Sequence, residues 1–396
     1  MPFKKFSGKA IFTGVQLIDN SEVLIFDEKN QVVEIVPFEI AGDNIQHLNG
    51  ILLPGFVNTH CHLELSHLKG SISEGTGLVH FVQQVMEKRF STTLSEAIAE
   101  AMKTQAHTMH QSGIVAVGDI CNTIDSIAPK LASPIQWHNF IELTGFDSAN
   151  AQQRFEHGIE KLDVFNQLFP YNSITPHAPY SISKPLFKLI NEATANQIVS
   201  IHNQETLDED ILFKTGGGAF VDFYHKFNIP YNSFEPTGKS SLQSWITYFN
   251  QYQSLLLVHN SFTNAEDVDF AAQYIIQHLH NSIHYCICIL ANQFIERKDP
   301  PIQMLYDKGM QLTIGTDSLA SNHQLSMMHE INAIMKSVNY AIPLETILKW
   351  ATYNGAHALQ LQDKLGSFEK GKKPGLVLVE TDEKRTKILK TQLILE

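Results

Sequence analysis

The chain has 396 residues, 43% hydrophobic and 18% charged, enough for one large domain and a smaller one. A formal net charge of −12 argues against a nucleic-acid partner, because no Lys/Arg cluster is present to overcome repulsion from phosphates. Residues 1–10 carry lysines but no apolar leader, and no apolar run reaches the roughly 18 residues of a membrane span, so a cytoplasmic protein with no membrane partner is expected.

In chain order, residues 1 to about 50 predict short β-strands at Ala10–Thr13, Val23–Phe26 and Val32–Val36, with a turn at Asp27–Asn30. Such hairpins cannot bury enough surface alone. The far end offers partners, since Gly375–Glu380 and Thr391–Leu395 are again strand-like. A small β-domain built from both termini is expected, with the central region inserted as one unit. The boundaries implied are 1–53 and 356–396 for the two parts of the β-sandwich, and 54–355 for the insert.

The insert alternates apolar strand candidates with helical stretches. The strands predicted are Ile51–Val57, Ile114–Asp119, Ile135–Ile141, Ser173–His177, Ile198–His202, Leu255–His259, Ile283–Ile289 and Leu312–Asp317. Eight βα units in about 300 residues fit a (β/α)8 barrel of the TIM type better than a doubly wound sheet. The connection from Thr206 to Gln253 carries Gly216-Gly217-Gly218, which reads either as the hinge of a lid or as a helix C-cap followed by a surface loop. Cys61, Cys121, Cys286 and Cys288 are too few for a disulfide framework, and the last two alternate along an apolar strand as core thiols do.

The informative residues sit at strand ends. His60 and His62 close the first strand two residues apart, so the period-2 geometry turns both imidazoles to one side. Chance could place them so among 19 histidines, as it does His278 and His280 on a helix end. Strands four, five, six and eight, however, finish at His177, His202, His259 and Asp317, and a barrel gathers all C-terminal strand ends on one rim. There His60, His62, His202 and Asp317 suit a single ion such as Zn²⁺ with a position left for water. Glu205, three residues beyond His202, can face such an ion without binding it, and His259 can hydrogen-bond the water. The alternative for Glu205 is a cap on the helix starting near Leu207. Glu64 reads equally as a partner of a ligand imidazole or as an exposed loop residue. His107 and His110 read as a solvated helix face, and His323 and His329 as ordinary residues, although His323 follows the strand-eight loop and could approach a ligand.

Pro54–His62, His202–Thr206, Leu257–Asn260, Gly315–Ser318 and Ala351–Ala356 together resemble the amidohydrolase superfamily, and more narrowly its aminohydrolase branch of chlorohydrolases, guanine deaminases and adenosine-type or S-adenosylhomocysteine deaminases. The resemblance implies a metal-dependent barrel flanked by a β-sandwich from both termini, one Zn²⁺ or Fe²⁺, hydrolytic deamination and a homodimer. Residue by residue it makes His60, His62, His202 and Asp317 the ligands, Glu205 the proton carrier and His259, with Asp317, the group that handles the water's proton. It also puts His177, Ser318 and Asn292 at the substrate. No lysine stands in Ser173–Tyr180, so one metal is expected rather than two. Leu63–Ser66 is similar to aminodeoxyfutalosine deaminases. Two departures stand out: Ile289 replaces the proline of the family's Cys-Pro-x-x-Asn, and Pro374-Gly375 replaces a late Ala-Asp.

The expected activity is therefore zinc-dependent deamination of an amino-substituted purine or purine nucleoside, with ammonia released. The alternatives are another C–N or C–Cl bond on the same scaffold, a non-catalytic metal-binding barrel, or a metal-storage role for a histidine-rich chain.

Overall fold

A computed structural model describes residues 3–90, 95–279 and 282–396. Its centre is a TIM-type barrel of eight parallel strands: β1 (Phe56–Cys61), β2 (Ile114–Cys121), β3 (Gln136–Leu143), β4 (Asn172–Pro176), β5 (Ile198–Asn203), β6 (Ser254–His259), β7 (Ile283–Ile287) and β8 (Gln311–Ile314). The strands form two sheets, ordered β4-β3-β2-β1 and β5-β6-β7-β8. Side chains and short contacts close the two seams between them. At one seam Thr59 Oγ1 donates to Thr313 Oγ1 at 2.9 Å and to Ile314 O at 3.1 Å, while the Thr316 and Asp317 N–H groups both donate to His60 O. At the other, the His202 N–H donates to His177 O at 2.9 Å. The first seam sets Asp317 beside His60.

Strands from both ends of the chain lie under the barrel. One sheet runs Ile388–Leu395, Leu376–Thr381, Ile51–Leu53, Ala10–Phe12, Leu17–Ile18; the other runs Val32–Pro37, Glu22–Phe26, Lys4–Ser7, Ile45–His47. The inner strands of the first sheet are buried on both faces, which is why Ile51-Leu52-Leu53 is apolar throughout. Ile11, Leu52, Leu376 and Leu378 pack with Phe6, Leu24 and Phe26 of the second sheet, whereas Ala10, Phe12, Ile51, Leu53, Val377 and Val379 join the barrel's core.

The apolar run Ile51–Val57 is thus two strands, not one. Pro54-Gly55 breaks it, and the chain passes from sandwich to barrel there. A Cβ on Gly55 would meet Val115 at 2.3 Å and Pro374 O at 2.8 Å, so only glycine allows the crossing. Strand seven also ends early: Cys288 caps a helix, Ile289–Glu296, that the apolar run conceals. The span between β5 and β6 holds the helices Leu207–Thr215, Ala219–Lys226 and Ser241–Trp245. Gly216 is the left-handed C-cap of the first, with φ 73°, and Gly218 precedes the second. All four cysteines are free and buried. His278 ends a helical turn at Ile275–Leu279, and His280 lies outside the described residues. Among the described residues no helix is long and apolar enough to cross a membrane.

Candidate metal centre and active site

The C-terminal strand ends converge as a barrel requires. His60 comes from β1 and His62 from the residue just after it, His202 from β5, His259 from β6 and Asp317 from the turn after β8. Gln204, His259 and Asp317 have left-handed backbones, with φ of 44°, 74° and 55°. Such strain in non-glycine residues persists only where the surroundings enforce it, and it gathers at functional sites.

The donor atoms lie at separations that fit an ion. His62 Nε2 is 3.3 Å from His202 Nε2 and 3.5 Å from Asp317 Oδ1, and His60 Nε2 is 3.6 Å from the same oxygen. Ligands about 2.0–2.1 Å from a tetrahedral ion stand about 3.3–3.4 Å apart. Among the described residues neither ring nitrogen of the fully buried His60 has a hydrogen-bond partner, a costly state that a cation on the Nε2 lone pair would relieve at that atom. His202 Nδ1–H donates to His177 O at 2.7 Å, which leaves its Nε2 lone pair facing the other ligands.

The electrostatics agree. Burial lowers the pKa of His62 to about 3 and, with the surrounding imidazoles, puts His202 well below the ordinary value, so both rings are neutral as ligands must be. Burial opposes charge on His60 and on Asp317 too, but their mutual attraction outweighs it, raising the imidazole and holding the carboxyl far below its usual range. The Asp317 carboxylate thus favours a positive charge beside it, and a cation on His60 Nε2 would take the place of the proton there. Ser321 Oγ donates to Asp317 Oδ2 and fixes the carboxylate.

Two further groups face the same point. Burial, reinforced by Asp317, raises the Glu205 carboxyl well above its ordinary pKa. Glu205 Oε1 lies 3.5 Å from His259 Nε2, and the side chain makes no cap for the helix that starts at Leu207. Burial lowers His259 to about 4. Its Nδ1–H donates to Asn292 Oδ1 at 2.7 Å, leaving Nε2 as the acceptor turned to the site.

Above these groups opens a cavity of about 620 Å³, with His62, His177, His202, Glu205, His259, Asp317 and Ser318 in its lining. Leu78, Phe81, Val82, Val85 and Met86 of the helix Leu78–Phe90 and Phe223, Tyr224 and Phe227 near Ala219–Lys226 form an apolar wall. Asn292 is not in this lining. It is fully buried behind His259, because the helix that replaces the end of strand seven turns its carboxamide to that ring.

Glu64 is neither a ligand's partner nor exposed. It is buried, pairs with Arg89 at 2.5 Å and accepts from the Asn122 and Thr123 N–H groups. Glu142 was not legible as a site residue, although it follows directly on the strand candidate ending at Ile141. It accepts from His177 Nδ1 at 2.8 Å and from Asn122 Nδ2 at 2.9 Å, and despite burial these contacts lower its pKa to about 2. Glu142, His177 and His202 lie close enough to suggest a second ion, but His177 Nδ1 and His202 Nδ1 are already hydrogen-bonded. His323 and His329 face Glu74 and Ser326 respectively.

The sequence profile of the amidohydrolase family matches residues 51–393. The chain is 28% identical over 377 residues to an adenosine deaminase of Helicobacter pylori, covering 92% of this chain and 88% of that protein. Its fold superposes on an aminofutalosine deaminase of Helicobacter pylori in complex with methylthio-coformycin, with a TM-score of 0.78, 22% identity and coverage of 96% and 93%. It superposes likewise on an adenosine deaminase from Xanthomonas campestris with bound zinc, with a TM-score of 0.74, 20% identity and coverage of 96% and 85%.

Proposed function

The chain belongs to the amidohydrolase family and is a hydrolase of carbon–nitrogen bonds, and from that premise we propose that it deaminates an amino-substituted purine nucleoside with the help of one Zn²⁺. The observation that carries this reading is the meeting of His62, His202 and Asp317 with a carboxyl of raised pKa and a neutral imidazole on the floor of a single cavity, with His60 buried directly behind them. The donor set accepts Zn²⁺ and Fe²⁺ alike; the zinc bound to the similar Xanthomonas protein favours the former. The names of the relatives favour a 6-aminopurine.

His60, His62, His202 and Asp317 would hold the ion, which supplies hydroxide near neutral pH for addition to the carbon bearing the amine. His259 Nε2, its other nitrogen committed to Asn292, takes the water's proton together with Asp317. Glu205, kept neutral by burial, gives its proton to the ring nitrogen beside that carbon. The proton held by His259 passes to the amine, the C–N bond breaks and ammonia leaves, while the hydroxyl on the same carbon becomes a carbonyl and its proton returns to Glu205. His177, oriented by Glu142, and Ser318 lie where the purine ring would rest. The apolar wall would exclude water from the reacting face.

The test is ammonia release by the Zn²⁺-loaded chain across adenosine, aminodeoxyfutalosine, S-adenosylhomocysteine, guanine and cytosine. Turnover of at least one 6-aminopurine nucleoside is expected. A chain carrying one tight metal that releases ammonia from none of the 6-amino compounds would overturn the proposal.

A further inference from the structure

Behind the turn that carries His62 lies a second buried ionic group that the proposed reaction does not use. Asp119 of β2 and Lys130 of the helix Ile127–Leu131 are both enclosed by protein, with Lys130 Nζ 2.6 Å from Asp119 Oδ2. The other two ammonium donors reach Asn139 Oδ1 at 2.7 Å and Cys121 Sγ at 3.0 Å, so all three are satisfied. The rings of Trp137 and Phe165 flank the charge at 5.4 Å.

So enclosed a pair is costly to desolvate, and apolar residues of similar volume often serve stability as well. The remaining oxygen of Asp119 gives the pair a use: Oδ1 accepts from the Leu63 N–H at 2.8 Å. Leu63 opens the 3-10 helix Leu63–Leu68, whose N-cap is His62, and the His62 side chain makes no capping bond. A helix start leaves its first N–H groups free; an N-cap side chain ordinarily takes one at N2 or N3, and the N1 group, here Leu63 N–H, needs an acceptor from elsewhere. The His62 side chain takes none of them, because its imidazole faces Asp317 and His202.

We propose that Asp119 and Lys130 are a positioning pair for the ligand His62: from the neighbouring strand Asp119 holds the N–H of the residue next to His62, at a helix start that the imidazole leaves uncapped, and Lys130 aims that carboxylate. Strand register ties the device to the site, since Asp119 lies opposite Cys61, the residue between the two histidines. The inference rests on reading His62 as a metal ligand.

Two double variants remove the ion pair without leaving a lone buried charge. D119N/K130M keeps an acceptor for the Leu63 N–H, and D119L/K130M does not. Zn²⁺ affinity, measured by chelator competition, is expected to stay within about threefold of wild type for the first and to weaken about 10–100-fold for the second, the range seen when residues supporting metal ligands are lost. Lys130→Met alone should weaken Zn²⁺ by about tenfold or more, and adding Asp119→Asn should restore it. If D119L/K130M does not fold, this rescue decides. Equal affinities among folded variants, with only the melting temperature moved, would overturn the proposal. A wild-type chain that takes up no stoichiometric Zn²⁺ would instead overturn the metal reading beneath it.

Discussion

Between the two terminal sheets, Phe6, Ile11, Leu24, Phe26 and Leu52 pack as an ordinary apolar layer, whereas at the barrel rim five titratable side chains crowd together, His259 and Asp317 on left-handed backbone, with neither nitrogen of His60 hydrogen-bonded among the described residues. The first region gains stability directly from removing apolar surface from water. The second spends stability to hold polar groups at separations that only a bound cation and a substrate would satisfy. The contrast separates two classes of substitution: those that disable the rim and leave the fold standing, and those that loosen the fold and leave the rim's chemistry intact.

Glu205→Gln should break the rim most severely. An amide of the same shape cannot give up a proton, so kcat for ammonia release should fall about 10²–10⁴-fold while one metal stays bound. Unchanged turnover would remove Glu205 from the mechanism. The same residue signs the pH profile. Burial raises its pKa, so the active protonated form is present at low and neutral pH and is lost as pH rises through the folded value. His259, lowered to about 4, is neutral above that pH and sets the acid side. A rate profile lacking an alkaline fall that depends on Glu205 would contradict this.

Removing the metal should come next in size. Apo-protein should melt well below the loaded chain, by about 4 kcal/mol when free Zn²⁺ stands at a thousand times its Kd. Equal melting curves would mean the rim is not repaid by an ion. Leu52→Ala sharpens the comparison from the other side. It should cost about 3 kcal/mol in denaturant unfolding, as a fully buried leucine does, with metal content and kcat unchanged. A loss of bound metal there would show the two regions to be coupled.

The smallest effect, read over a single pH unit, concerns Glu330, which accepts from the Leu290 N–H and from Asn322 Nδ2 behind the rim. Burial raises its pKa from 4.5 to about 8. Its contribution to stability is therefore complete below pH 4.5 and is lost as pH rises through about 8, at about 1.4 kcal/mol per pH unit in between. Glu330→Gln should flatten the decline in melting temperature between pH 6 and 7. Identical slopes in both proteins would rule Glu330 out as its source.

Much of the barrel was legible because its strands are continuous apolar runs whose ends carry polar side chains. Ile198–His202 and Leu255–His259 needed only their last residues extended or their first moved by one. The short strands Lys4–Ser7, Leu17–Ile18 and Ile45–His47 escaped notice, since they are too brief and too mixed in polarity for alternation to register. Ile51–Val57 was misread as one strand because a run of apolar residues carries no mark of which sheet each half joins. Ile289 was misread as strand because a buried helix start is as apolar as a strand end.

The sequence by itself determined which donors stand at strand ends, because His60, His62, His202 and His259 each close a run whose period and composition are local properties. Only the tertiary structure decided what those donors meet. The seam between β1 and β8 brings Asp317 to His60, Glu142 orients His177, Asn292 turns away from the cavity to hold His259, and Asp119 holds the N–H of the residue next to His62. Each of these is a contact between residues distant in the chain, set by strand register and barrel closure, and no local pattern of hydrophobicity records it.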